Sequence, residues 1–139
     1  MPAEVSVSLR ALVSGRAQFR CEYCLVHEDD SYSPHQVDHI VSRKHGGASS
    51  EDNLAYCCLR CNLWKGTDIG SVSTRTGRLI PLCNPRKDLW SDHFRLNGAI
   101  IEPLTAEGEV TARLLRLNLD KRVAERRLLI ASGRYPPRG

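Results

Sequence analysis

At 139 residues and 15.6 kDa the chain has the size of one domain, and its 41% apolar content suffices for a compact core, although chains this small often add a staple. A formal charge of +4 and a pI near 8.8 make it mildly basic, which is compatible with a polyanionic partner without requiring one. No apolar run is long enough to span a membrane, and residues 1–20 hold Arg10, Arg16 and Arg20 with no continuous apolar stretch, so no secretory signal is expected. Six cysteines are then expected in a reducing, cytoplasmic setting, where metal binding outranks disulfides.

Residues 1–7 read as a loose start. Ser8 is a fair N-cap for a helix whose Leu9, Leu12 and Val13 recur at the period of one buried face, with the pattern running to about Phe19. Cys21-Glu22-Tyr23-Cys24 makes a tight turn, and the acidic stretch His27 to Pro34 reads as an exposed loop. Val37 to Val41 is a short β-rich run, and Ser42 to Asn53, with Gly46 and Gly47, is a loop. Leu54 to Cys57 suits a second strand, and a helix begins near Arg60 and includes Asn62, Trp64 and Lys65.

Residues 71–82 read as a β-hairpin turning at Thr76-Gly77. Trp90, Phe94 and Leu96 supply bulk for a core, and Ala99-Ile100-Ile101 reads as a strand ended by Pro103. Two helices follow, Thr105 to Leu117 and Asp120, as N-cap, to about Ser132. Val123, Leu128, Leu129 and Ile130 are expected to form the apolar face of the second. Arg113, Arg116, Lys121, Arg122, Arg126 and Arg127 give both helices a basic face.

Cys21 and Cys24 form one C-x2-C pair, and Cys58 and Cys61 another. Two such turns complete a tetrahedron of thiolates around one zinc ion, a closed site with no position for water and hence a structural one. The segment 25–57 between the pairs exceeds the commonest zinc-ribbon gap. For a core this small the ion is worth on the order of 10 kcal/mol. Buried free cysteines or a redox pair are the competing reading. Cys57 with Cys61 offers a wider bite, and Cys83 reads as a small core residue.

Within the insert, Asp38-His39 sits on the first strand, Asn53 follows the Gly-rich loop, and Asn62 comes directly after Cys61. Singly, each has a bland explanation in a cap, a turn or a packed ring. Together, Val37-Asp38-His39-Ile40, Gly46-Gly47, Asn53-Leu54 and Cys58 through Gly66, bracketed by Cys21-Glu22-Tyr23-Cys24, closely resemble the HNH endonuclease family in its zinc-stapled form. Leu82-Cys83-Asn84-Pro85-Arg86, Trp90-Ser91-Asp92-His93-Phe94 and Leu117-Asn118 resemble a C-terminal extension of bacterial, notably cyanobacterial, HNH proteins. The position of Cys83 is usually aromatic there, a departure that touches packing and not the site. The resemblance implies an α+β fold. Residues 1–20 would form an N-terminal helix, 21–70 a ββα-metal core between the zinc knuckles, and 71–139 an extension of a hairpin and helices, all in one domain.

The resemblance further implies that His39 is the general base, Asp38 a ligand of a catalytic divalent ion, and Asn62, in place of the last His of the family name, its second ligand. Asn53 is implied to brace the loop so that His39 is aimed correctly. These side-chain types also suit phosphodiester hydrolysis on their own terms. An imidazole of ordinary pKa, about 6.5, can take a proton from water at neutral pH. Mg²⁺ or Mn²⁺ prefers oxygen ligands, which Asp38 and the Asn62 amide supply. One carboxylate and one amide make a weak site, so the ion is expected to bind well only with DNA, most plausibly double-stranded. Lys65, Arg43, Lys44 and His45 are candidates for backbone phosphate contacts. His35 shares strand parity with His39 but suits a supporting or surface role, His27 an exposed one and His93 a structural one.

One geometric tension stands: neighbouring residues of a regular strand point to opposite faces, so Asp38 and His39 serve one phosphate only if the strand twists strongly or ends there. Two other readings remain open at the level of sequence. One is a zinc-ribbon module that binds nucleic acid without catalysis, through the faces Arg113–Arg116 and Arg122–Arg127. The other is an RNase on the same scaffold.

Overall fold

The computed structural model describes residues 5–138. Helix α1 spans Val7–Arg16 and is capped by Ser6, whose hydroxyl accepts from the Leu9 amide at 3.1 Å. Ser8, the expected cap, already lies inside the helix. The helix also stops short of Phe19, because Gln18 and Phe19 take left-handed backbone (φ 54° and 60°) and turn their amides back to the carbonyls of Gly15 and Ser14. That reversal delivers the chain to the first cysteine turn, which the Arg20–His27 bridge and the Cys21 amide to Val26 carbonyl bond (2.9 Å) close.

Strands β1 (Gln36–His39) and β2 (Leu54–Cys57) pair antiparallel, with Asp38 opposite Ala55 and His39 opposite Leu54. The first strand begins one residue before the expected Val37 and ends at His39 rather than Val41. On one face of this hairpin Val37, Leu54 and Tyr56 pack against Val13 and Leu9 of α1. The alternate residues Ala55 and Cys57 join the main core instead. Helix α2 (Leu59–Lys65) follows β2 without a loop, and Cys58 is its N-cap, its sulfur accepting from the Cys61 amide at 3.4 Å.

Downstream, β3 (Gly70–Val72) and β4 (Leu79–Pro81) form the expected hairpin, whose turn contains left-handed Gly77 (φ 72°). A short helix α3 (Trp90–His93) runs straight into β5 (Phe94–Asn97), which pairs with β6 (Ile100–Pro103). Sequence periodicity missed β5, since four residues with one deeply buried side chain, Phe94, scarcely alternate. Helices α4 (Ala106–Leu114, capped by Thr105) and α5 (Asp120–Ala131) complete the chain. Leu119, not Asp120, is the N-cap position of α5, and it makes no side-chain cap bond. The main core mixes Cys21, Cys24, Cys58 and Cys61 with Phe94, Ile101, Val110, Leu115 and Leu117.

The buried face of α5 departs in part from the expected pattern: Val123 is buried as expected and Leu129 is half-buried, but Ile130 is exposed. Leu128 is 73% exposed, whereas Arg122 and Arg126 are buried. The reason lies in the end of α4, where left-handed Arg116 (φ 51°) leaves several carbonyls without helical partners. Arg122 donates to the Leu115 carbonyl (2.8 Å), and Arg126 donates to those of Leu117 (2.8 Å) and Ala99 (2.7 Å). A guanidinium, with five donors in one plane, satisfies several such groups at once.

Candidate active site and cysteine centre

The four sulfurs of Cys21, Cys24, Cys58 and Cys61 lie within 4.8 Å of one another, and all four residues are buried. Cys24 and Cys58 approach to 3.8 Å, far beyond a disulfide bond of about 2.05 Å but equal to the edge of a tetrahedron with metal–sulfur bonds of about 2.3 Å. All six cysteines are free. Backbone amides of Tyr23 and Cys24 donate to the Cys21 sulfur at 3.4 Å, as the Cys61 amide does to Cys58. Burial and the neighbouring sulfurs hold the Cys21 and Cys61 thiols well above their ordinary pKa, and the neighbouring sulfurs together with burial do the same to Cys58. Hydrogen bonds from the other three pull Cys24 below it. Four thiols this close ionise together only around a cation. Cys57 stays outside the group, its thiol turned to the Cys58 carbonyl at 3.5 Å, which removes the wider bite.

Arg122 completes this centre. Its Nη2 donates to the Cys61 sulfur at 3.1 Å and lies 3.8 Å from that of Cys58, while its guanidinium and that of Arg116 stand over Trp64 at 5.5 and 5.2 Å. Of the expected basic face, Arg122 and Arg126 are thus committed inward, whereas Arg116, Lys121 and Arg127 remain exposed. Arg113 bonds Glu109, Ser71 and the Val72 carbonyl.

The second group sits where β1 ends. His39 is the last residue of that strand, half-buried, with Nε2 2.9 Å from the Ser49 hydroxyl, which also accepts from Arg43 at 3.3 Å. Burial lowers the His39 pKa, with Arg43 and Lys65 adding to the shift against the opposing pull of Asp38. That shift favours the neutral imidazole over the imidazolium. Asp38 is 6% exposed, and Lys65 Nζ stands 3.1 Å from its Oδ2. Besides this ion pair Oδ2 has no hydrogen-bond partner of good geometry among the described residues, and neither has the buried hydroxyl of nearby Tyr23. Burial raises the Asp38 pKa and Lys65 opposes the rise.

Asn62 projects from the first half of α2, and its Nδ2 donates to Gln36 Oε1, which leaves the amide oxygen to accept. A buried carboxylate with spare acceptor capacity and a carbonyl-type oxygen are hard donors, and they fit Mg²⁺ or Mn²⁺ better than zinc. Lys65, expected as a candidate phosphate contact, is 1% exposed, with its ammonium on Asp38 and 3.1 Å from the His39 carbonyl. Arg43, Lys44 and His45 form an exposed 3-10 turn beside His39.

Asn53 clasps the intervening loop. Its Oδ1 accepts from the Val41 amide (2.9 Å), and its Nδ2 donates to the carbonyls of Val41 (2.9 Å) and Ala48 (2.8 Å). Both glycines of the motif are required by this fold. Gly46 is left-handed (φ 87°), and a Cβ on Gly47 would fall 1.7 Å from the Val41 carbonyl oxygen and 2.8 Å from Asn53 Nδ2. Gly47→Ala is therefore expected to prise the loop from Asn53, lowering stability by about 1–3 kcal/mol or more and disordering the loop that carries Ser49. A melting curve matching that of the unaltered protein would count against this.

Sequence reasoning missed Ser49 and Gln36. Nothing in one sequence separates Ser49 from Ser50, and Gln36 becomes visible only once α2 is laid against β1. His35 is buried, with its Nε2 2.9 Å from the Val26 carbonyl and its ring against Tyr56, which marks it as structural. His93 bonds Thr105 at 2.5 Å, also within the fold. Among the described residues no helix is long and apolar enough to cross a membrane.

The sequence model of the HNH endonuclease family matches residues 21–68, from the first cysteine turn to just past α2. No curated protein and no solved structure is matched by the chain.

Proposed function

We propose, from the premise that residues 21–68 form an HNH endonuclease segment, that the protein hydrolyses phosphodiester bonds in DNA with the help of a divalent ion. The observation that carries this reading is the junction at the end of β1. A depressed-pKa imidazole and a buried carboxylate are adjacent in sequence there, with the Asn62 amide brought against the same strand by α2. His39 is the last paired residue of the strand, so the backbone turns away directly after it, which would ease the conflict between opposite-facing neighbours.

With Nε2–H donating to the Ser49 hydroxyl, Nδ1 would be the nitrogen of His39 that takes a proton from the attacking water. Asp38 and Asn62 would hold the Mg²⁺ or Mn²⁺, which when bound supplies charge neutralisation at phosphate and leaving oxygen. Asn53 and Gly47 keep the loop closed so that Ser49 stays on the imidazole. Arg43, Lys44 and His45, exposed beside the base, suit contacts with the sugar–phosphate backbone rather than base readout. The four cysteines would hold a structural zinc ion.

Incubating the zinc-loaded protein with supercoiled plasmid is expected to give nicked circles in Mg²⁺ or Mn²⁺ and none in EDTA. The rate should climb with pH as His39 loses its proton. Because burial and nearby cations depress that pKa, the midpoint should fall below the ordinary histidine value of about 6.5. An intact plasmid under all conditions, or cleavage of RNA alone, would refute the reading.

A further inference from the structure

Among the described residues Lys65 is the one buried ammonium in the site, and the proposed mechanism leaves it without a task. It reaches inward from the last turn of α2, the helix that also carries Cys61 and Asn62. Its Nζ stands 3.1 Å from Asp38 Oδ2 and donates to the backbone carbonyl of His39 at 3.1 Å. With 1% exposure for Lys65 and 6% for Asp38, water screens neither charge. One side chain thus ties the carboxylate to the main chain of the base and sets both against the helix that presents Asn62.

The charges add up simply. Asp38 contributes −1, Lys65 +1 and the Asn62 amide nothing, so the oxygen donors expected to hold a divalent ion, taken together with the lysine paired to them, carry no net charge. An incoming ion meets a resident cation on the same carboxylate, and repulsion between charges at such distances opposes binding in a poorly screened site. A phosphodiester brings the negative charge that the protein withholds. We propose that Lys65 is a built-in counter-cation that positions Asp38 and His39 while keeping the divalent-ion site weak until a nucleic-acid phosphate enters it. The inference rests on the nuclease reading, but its test does not depend on cleavage.

The probe is Mn²⁺ alone, titrated into the full zinc-loaded chain and followed by the paramagnetic signal of the free ion. Lys65→Met removes the competing charge and should tighten Mn²⁺ binding by about tenfold or more, whereas Lys65→Arg should bind as weakly as the unaltered protein. A purely structural lysine predicts the opposite sign, since a loosened Asp38 would bind the ion less well. Zinc content and a cooperative melt establish that each variant is folded. Should Lys65→Met fail that check, Gln36→Glu tests the same charge deficit from an exposed position already in contact with Asn62, and it too should tighten Mn²⁺ binding about tenfold. Adding a phosphorothioate DNA duplex should strengthen Mn²⁺ binding to the unaltered protein far more than binding to Lys65→Met. Unchanged or weaker Mn²⁺ affinity in the folded variants overturns the counter-cation role, and plasmid nicking by the unaltered protein would then leave the nuclease reading intact. Tighter binding in variants of a protein that never cleaves would uphold the counter-cation role and remove the nuclease.

Discussion

Replacing His39 with alanine is expected to lower the nicking rate by about 10²–10⁴-fold, the usual worth of a positioned general base, while zinc content and melting temperature stay near those of the unaltered protein. The side chain of His39 is half-buried at the end of a strand, and the hydrogen bond its ring makes is to the Ser49 hydroxyl. The contacts that matter to the fold, the pairing with Leu54 and the bond from Lys65, are made by the backbone and survive truncation. Activity and stability therefore separate at this position. Near-normal nicking by the alanine variant would remove His39 from the mechanism.

Losing a cysteine of the centre should do the reverse, and more drastically. Cys58→Ser is the cleanest case, because serine is itself a favoured N-cap and keeps the cap of α2. What disappears is one of four ligands. If the ion contributes on the order of 10 kcal/mol, its loss matches the whole stability of a typical domain, about 5–15 kcal/mol, and the variant should be unfolded at room temperature. Cys61→Ser adds a second injury, since Arg122 loses its sulfur acceptor at 3.1 Å in a buried setting. A strong chelator should reproduce the effect on the unaltered chain. A melting curve that stays the same in Cys58→Ser and in chelator would eliminate the metal staple.

The parts legible in the sequence were those fixed by local chemistry. Two C-x2-C turns specify a tetrahedral sulfur site wherever the chain brings them together, and the four sulfurs do converge within 4.8 Å. The strand Leu54–Cys57, the helix after it and the turn at Gly77 each carry their own signal in propensity or backbone constraint. Misreadings arose where a side chain answers to a distant partner. Arg122 and Arg126 look like a solvated basic stripe, yet they are buried because carbonyls at the end of α4 and the cysteine sulfurs need donors. Leu128 completes an apolar period in the sequence and lies in the open. Lys65 has the spacing of a phosphate contact, and only the packing of α2 on β1 reveals that Asp38 claims it first. Ser49 is invisible for the same reason: its role exists only after Gly47 and Asn53 have folded the loop back.

The seat of Arg122 on the sulfurs also governs how the molecule assembles in time. Cys24 and Cys58 meet across 34 positions of chain, and the guanidinium joins Cys61 across 61 more. Each hairpin can zip by itself within about 1–10 μs, but these wide loops must be closed at an entropic cost that grows with the logarithm of their span. An ion-free chain should therefore collapse its local pieces promptly and stall before α5 docks. Its maturation would then be paced by the supply of free zinc rather than by the speed of the polypeptide.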